Sequence, residues 1–274
     1  MGSLYVAVAL ILSCSRTTNP LISNKKNLMK QEDINKSIVR DFYRRAVSQG
    51  DIAFAEEIVA DDYIQHSSAV KPGKAGLLEA LHYMKQMPKP ATTSTPFMRL
   101  LAEGDYVVTN MSFGWDGKQK VVVDIFRFRA GQVVEHWDAL QDQPETTLNG
   151  HAMMDGDVAP GDADLAVSNK AVVKDFYQRV FVNKQLEAMS DFVAPDLIQH
   201  CPEISNGLIG LKDYLAYKSD SMSIEKIDLL IGEGNFVVVQ SEGKLNQKNT
   251  TFYDVFRLTD GKIVEHWGVK QISL

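Results

Sequence analysis

At 274 residues the chain is too long for one small α+β domain and suits two of roughly 110 residues, each large enough to bury a core of its own. Apolar residues make up 45% and charged residues 23%, which excludes the composition of a disordered chain. A formal net charge of -6, with no basic run beyond Lys25-Lys26, excludes the positive field that gathers nucleic acid, so no nucleic-acid partner is expected.

The run Leu4 to Leu12 is too short to span a bilayer but suits the apolar region of a signal peptide. With Leu12-Ser13 before Cys14 it resembles a bacterial lipoprotein signal, in which the cysteine is lipidated and becomes the mature N-terminus. Met1-Gly2-Ser3 departs from that pattern in carrying no Lys or Arg. The resemblance implies a leader and tether over residues 1–30 and a protein anchored to the membrane of the cell envelope or periplasm through Cys14; without lipidation the reading is cytoplasmic. Neither Cys14 nor Cys201 belongs to a CxxC or Cys/His zinc spacing. Cys201 reads as a small buried apolar residue.

From Ile34 to Val47, Ile38, Phe42 and Val47 recur at roughly helical spacing and predict a first helix; Ile52 to Val59 and Ala75 to Met87 predict two more. Between the second and third lies a short apolar piece, Tyr63-Ile64, ending in His66. Four strand-like runs follow: Phe97 to Ala102, Tyr106 to Phe113, Lys120 to Arg129 and Gln132 to Gln141. Helices first and strands later, joined by turns such as Asp116-Gly117 and Ala130-Gly131, argue for α+β with a curved antiparallel sheet.

The chain then repeats itself. Asp41-Phe42-Tyr43 returns as Asp175-Phe176-Tyr177 and Ile64-Gln65-His66 as Ile198-Gln199-His200, both 134 residues on; Asp124-Ile125-Phe126-Arg127 returns as Asp254-Val255-Phe256-Arg257, 130 residues on. The four missing residues fall around Met87 to Thr95, a Pro-containing loop. Residues 31–143 and 167–274 read as two domains, with an aperiodic Gly-, Asp- and Pro-containing linker at 144–166.

Alternation along a strand puts Val122, Asp124, Phe126 and Phe128 on one face, and Val134, His136, Asp138 and Leu140 on one face of the next strand. If those faces adjoin, Asp124, His136 and Asp138 converge in an apolar cavity under the helices, within reach of His66. Burial raises a carboxyl pKa and an imidazolium lowers it, so two carboxylates beside a histidine hold different protonation states, which equips them to move protons on and off carbon. Asp124, His136 and His66 have counterparts in Asp254, His266 and His200 and fit a structural hydrogen-bond network as well as they fit chemistry. Asp138 differs: Gly268 replaces it, so the fold does not require it. Tyr43, Trp115 and Phe126 are candidate substrate contacts, while Trp137 and Trp267 fall on the opposite strand face, suited to packing between the copies. A metal site built from His66, His136, Asp124 and Asp138 is the third reading, without a dense motif such as HExxH behind it.

The element order, Tyr63-Ile64-Gln65-His66 and the run from Asp124-Ile125-Phe126-Arg127 to Val134-Glu135-His136-Trp137-Asp138 resemble the SnoaL-like polyketide cyclases of the nuclear transport factor 2-like superfamily. The resemblance covers roughly Asn35 to Gln143 and Asn169 to Leu274. It implies two cone-shaped α+β domains, each of three helices on a curved antiparallel sheet, joined as an internal pseudo-dimer. It also implies an aldol-type cyclase, lyase or isomerase that needs no cofactor, with Asp138 as acid/base on a small hydrophobic carbonyl compound. His136 or His66 would stabilise the enolate and Asp124 would orient a histidine. A non-catalytic protein that holds a small molecule is the competing reading.

Overall fold

The computed structural model describes residues 29–67, 69–87, 98–115 and 117–272; the leader with Cys14 and most of the proposed loop from Met87 to Thr95 lie outside them. In the first copy α1 (Gln31–Asp41) opens with Glu32 and Asp33 and closes with Arg40, charges that complement the helix dipole. It runs on into a π-helical turn, Phe42–Ser48. The side chain of Asp51 accepts from the Phe54 amide at 3.2 Å and caps α2 (Ile52–Ile58). Then come β1 (Val59–Gln65), α3 (Gly73–Gln86), β2 (Met98–Glu103), β3 (Tyr106–Trp115), β4 (Lys118–Arg129) and β5 (Gln132–Asp142).

The second copy repeats the series with a 3-10 segment in place of α2: α4 (Ala166–Phe176) with its own π turn, Leu186–Asp191, β6 (Val193–Gln199), α5 (Gly207–Tyr217), β7 (Met222–Glu233), β8 (Phe236–Leu245), β9 (Lys248–Thr259) and β10 (Lys262–Ile272). Glycine is needed where α3 and α5 begin. A Cβ on Gly76 would stand 2.0 Å from the Lys71 carbonyl oxygen, and one on the equivalent Gly210 2.3 Å from that of Ser205.

Each copy forms a five-stranded sheet, in the orders β1-β5-β4-β3-β2 and β6-β10-β9-β8-β7. Four strands make an antiparallel meander, as their alternation and tight turns predict. The fifth is the short piece ahead of α3, which extends to seven residues and pairs parallel with β5. This pairing sets Gln65 beside His136 and Ile64 beside Glu135. The fold is α+β, two domains of the expected class.

One face of the first sheet packs under the helices, where Val39, Phe54, Tyr63, Val107, Phe126 and Phe128 share a core. A bulge between Arg127 and Phe128 puts Val133, not Val134, opposite Phe128. The alternation assumed for Val134 and His136 therefore breaks at the start of β5 and resumes from Glu135.

The other faces of the two sheets meet. Val121, Val123, Ile125 and Ala139 form one apolar cluster with Val238, Val255, Trp267 and Val269. Charged contacts across it are reciprocal: Lys36 donates to Glu233 at 2.6 Å and the Ala102 amide to the same carboxylate at 2.7 Å, while Lys170 and the Gly232 amide donate to Glu103. The segment between the copies is packed. Met153 and Met154 are buried, and Arg99, stacked 4.0 Å over Trp267, donates to the carbonyls of Asp155 and Asp157 at 2.6 Å.

Candidate functional site

Register fixes the site. Asp124 pairs with Asp138 on one side and Thr109 on the other, Phe126 pairs with His136, and His136 with Gln65. All project to the helix side, and the π turn after α1 lowers Tyr43 onto them. Asp124 Oδ2 accepts from the Tyr43 hydroxyl at 2.7 Å and from Thr109 Oγ1 at 2.9 Å. Asp124 Oδ1 lies 3.0 Å from His136 Nε2, the diagonal reach expected between neighbouring strands. His136 Nδ1 lies 3.3 Å from Gln65 Oε1, and Tyr63 donates to the same oxygen. Phe126 stacks on the imidazole with centroids 4.6 Å apart.

Burial works against a charge on His136, but the hydrogen bond and charge of Asp124, with the charge of Asp138, more than offset it and hold the ring above its ordinary pKa. Asp138 is raised above the usual carboxylate range, first by burial and then by Asp124; the His136 charge and a hydrogen bond from Ser67 pull against that rise. Oδ1 of Asp138 is buried and makes no hydrogen bond among the described residues. On the same strand face Leu140 pairs with Val122, so the carboxyl lies between an ionic network and an apolar surface.

Asp124, His136, Asp138, Tyr43 and Phe126 thus come together. His66 does not. It follows Gln65 on β1, so alternation turns it to the opposite face, where it bonds Glu135 Oε1 at 2.8 Å and stacks on Trp137 at 4.6 Å. Glu135 also accepts from Arg127 at 2.6 Å. The second copy repeats the arrangement with His200, Trp267, Glu265 and Arg257. His66 therefore belongs to a packing motif, and the four-residue metal set has no common centre. Trp115 also stands apart, 38% exposed at the outer end of the β3–β4 hairpin, six residues or about 20 Å along the strand from Thr109. Sequence reasoning missed Gln65, Ser67, Thr109 and Tyr63. Gln65 was readable, because strand alternation gives it the face of Tyr63.

In the second copy Tyr177 donates to Asp254 at 2.6 Å, and His266 lies 2.9 Å from Asp254 and 3.1 Å from Gln199. Four positions of the site differ: Tyr63 becomes Leu197, Thr109 becomes Val239, Ser67 becomes Cys201 and Asp138 becomes Gly268, the last two side by side. A Cβ on Gly268 would lie 3.0 Å from both Cys201 Sγ and Asp254 Oδ1. The thiol occupies the space that the extra carboxylate would need.

Among solved structures, a nuclear transport factor 2-like protein of unknown function from Burkholderia xenovorans LB400 is similar, at 24% identity over 42% of this chain and 88% of that one, with a TM-score of 0.35. A putative polyketide cyclase from Acidithiobacillus ferrooxidans matches at 14% identity over 38% and 88%, TM-score 0.33. An LEH-like epoxide hydrolase from M. tuberculosis matches at 16% over 39% and 84%, TM-score 0.33. No curated protein sequence matches. The family model of the SnoaL-like domain matches twice, at residues 39–136 and 173–266. The chain belongs to the SnoaL-like domain family and carries that domain in two copies.

Proposed function

We propose that the first copy is an acid/base enzyme of the aldol-type cyclase, lyase or isomerase kind, needing no cofactor and acting on a small hydrophobic carbonyl compound. The observation that supports this best is Asp138 Oδ1, a buried oxygen with no partner among the described residues, on a carboxyl whose hold on a proton is strengthened by burial. A general base works best when its pKa approaches the working pH. Asp138 takes a proton from the carbon next to the carbonyl, and the electron pair moves onto the carbonyl oxygen as an enolate. In a ring closure the enolate carbon then attacks a second carbonyl of the same molecule, and Asp138 returns its proton to the new alkoxide.

His136 acts in this scheme through its charge. Protonated, it directs one N–H to Asp124 and the other to Gln65, which leaves neither for the enolate oxygen, so its contribution is a fixed positive charge. Asp124, Tyr43 and Thr109 position it. The Ser67 hydroxyl donates to Asp138 and holds its carboxyl in place.

The test is binding and turnover of a panel of hydrophobic ketones and β-keto esters, measured by native mass spectrometry and NMR on the wild type and Asp138→Asn. The variant is expected to keep its affinity and lose roughly 10²- to 10⁴-fold in turnover. Binding without turnover in both proteins would favour a non-catalytic carrier.

A further inference from the structure

The second copy holds a nucleophile where the first holds a carboxylate. Cys201 is a free thiol, 7% exposed, with Sγ 3.9 Å from Nδ1 and 4.0 Å from Nε2 of His266. Near-equal distances set the sulfur beside the ring rather than at the end of either N–H. Both nitrogens are already engaged, by Gln199 Oε1 and Asp254 Oδ1. His266 therefore stands next to the sulfur as a fixed cation rather than as a base aimed at it. Burial opposes that charge, but the sulfur and the Asp254 carboxylate overcome it and raise the imidazole to about 10. A thiolate is the nucleophilic form of cysteine, and an adjacent imidazolium favours it.

A cavity of about 50 Å³ meets this cluster, with Cys201, His266, Asp254 and Gly268 on one wall, apolar side chains such as Phe181 and Phe252 on another, and the Lys270–Glu203 ion pair at its edge. That is space for roughly four water-sized groups. Beside His266, the wholly buried Gln199 keeps an Nε2 with no hydrogen-bond partner among the described residues. Leu197 stands where the first copy has Tyr63, so no hydroxyl faces this amide from that position.

We propose that the second copy is a covalent site at which Cys201 adds to a short α,β-unsaturated carbonyl compound. The reaction is an addition and needs no oxidant and no leaving group. A sulfur electron pair forms the S–C bond to the β-carbon, the C=C pair shifts to leave an enolate, and the proton released by the thiol to water is replaced by one taken up at the α-carbon. The small, largely apolar space admits an electrophile of four or five heavy atoms. No base directed at the sulfur is required, because the imidazole lies beside the sulfur and not in line with it. The site stands independently of the chemistry assigned to Asp138.

The test uses the full chain and but-3-en-2-one at neutral pH, with intact-mass analysis and peptide mapping. Cys201 is expected to form a single adduct at least about tenfold faster than free glutathione at the same pH. A larger enone, 1-phenylprop-2-en-1-one, is expected to show no such preference. Gly268→Ala, which keeps the thiol and the histidine but adds a methyl 3.0 Å from the sulfur, is expected to slow the adduct at least about tenfold while circular dichroism stays unchanged. An unmodified Cys201 in the folded chain, a rate no greater than that of glutathione, or a Gly268→Ala chain that reacts undiminished would each overturn the proposal.

Discussion

Asp138 lies directly opposite Asp124 across the β4–β5 ladder, yet the two carboxyls are supported unequally. Asp124 is contacted by Tyr43, Thr109 and His136, whereas Oδ1 of Asp138 has no partner among the described residues. Like charges face to face on a sheet repel, and the group with the weaker hydrogen-bond support is the one that takes up a proton more readily. The pair thereby sets a fully hydrogen-bonded carboxyl opposite one with an open oxygen.

Among the described residues, the charge of His136 holds the Asp138 pKa down. His136→Gln is therefore expected to raise the Asp138 pKa further, visible in a carbon-13 NMR titration of the aspartate carboxyls. A value that falls or stays put would show that the imidazolium does not act on Asp138.

The pH dependence of turnover follows from the same two groups. Asp138 must be deprotonated to act as a base, and its pKa is raised, so activity begins above the usual carboxylate range. The His136 charge is needed and its pKa is also raised, so activity persists past the ordinary imidazole range and then declines. The expected profile is a bell shifted to higher pH on both limbs, and a flat profile from pH 4 upward would contradict it.

In the second copy His266 links stability to pH. Its folded pKa of about 10 lies above the roughly 6.5 of an unfolded histidine, so its stabilisation is complete below about pH 6.5 and is lost as pH rises toward 10. Denaturant midpoints measured from pH 6 to 10 are expected to fall, and to fall less in His266→Gln. A midpoint that climbs over that range would reverse the sign.

The paired exchange of Ser67/Asp138 for Cys201/Gly268 implies coupling. Gly268→Asp alone crowds Cys201 and Asp254 and is expected to cost about 1–3 kcal/mol. Adding Cys201→Ser relieves part of that crowding, so a double-mutant cycle by thermal denaturation is expected to show a favourable interaction of at least about 0.5 kcal/mol. Simple additivity would mean the two positions do not share the space.

Repetition made most of the fold legible: two copies with the same spacing of apolar residues and turns specify the same elements, and the meander strands fall where alternation puts them. The parallel pairing of β1 was not legible, because seven residues between two helices carry no mark of which edge they join. The bulge at Val133 was hidden for a related reason, since two adjacent valines look alike whichever one faces the core. Asp138 stood out because its counterpart is Gly268, and the matching change of Ser67 to Cys201 was present in the same comparison, one residue past His66 and His200. His66 was misplaced by treating nearness in sequence to β1 as nearness to Asp124 and Asp138, when its position next to Gln65 turns it to the other face.

The central claim is that Asp138 moves a proton at carbon in the first copy. Its most direct test is exchange of α-protons for deuterium in hydrophobic ketones and β-keto esters, followed by NMR in D₂O for the wild type, Asp138→Asn and Cys201→Ser. Exchange catalysed by the wild type and by Cys201→Ser, and reduced at least about a hundredfold in Asp138→Asn, is the predicted result. Exchange that survives in Asp138→Asn would contradict it.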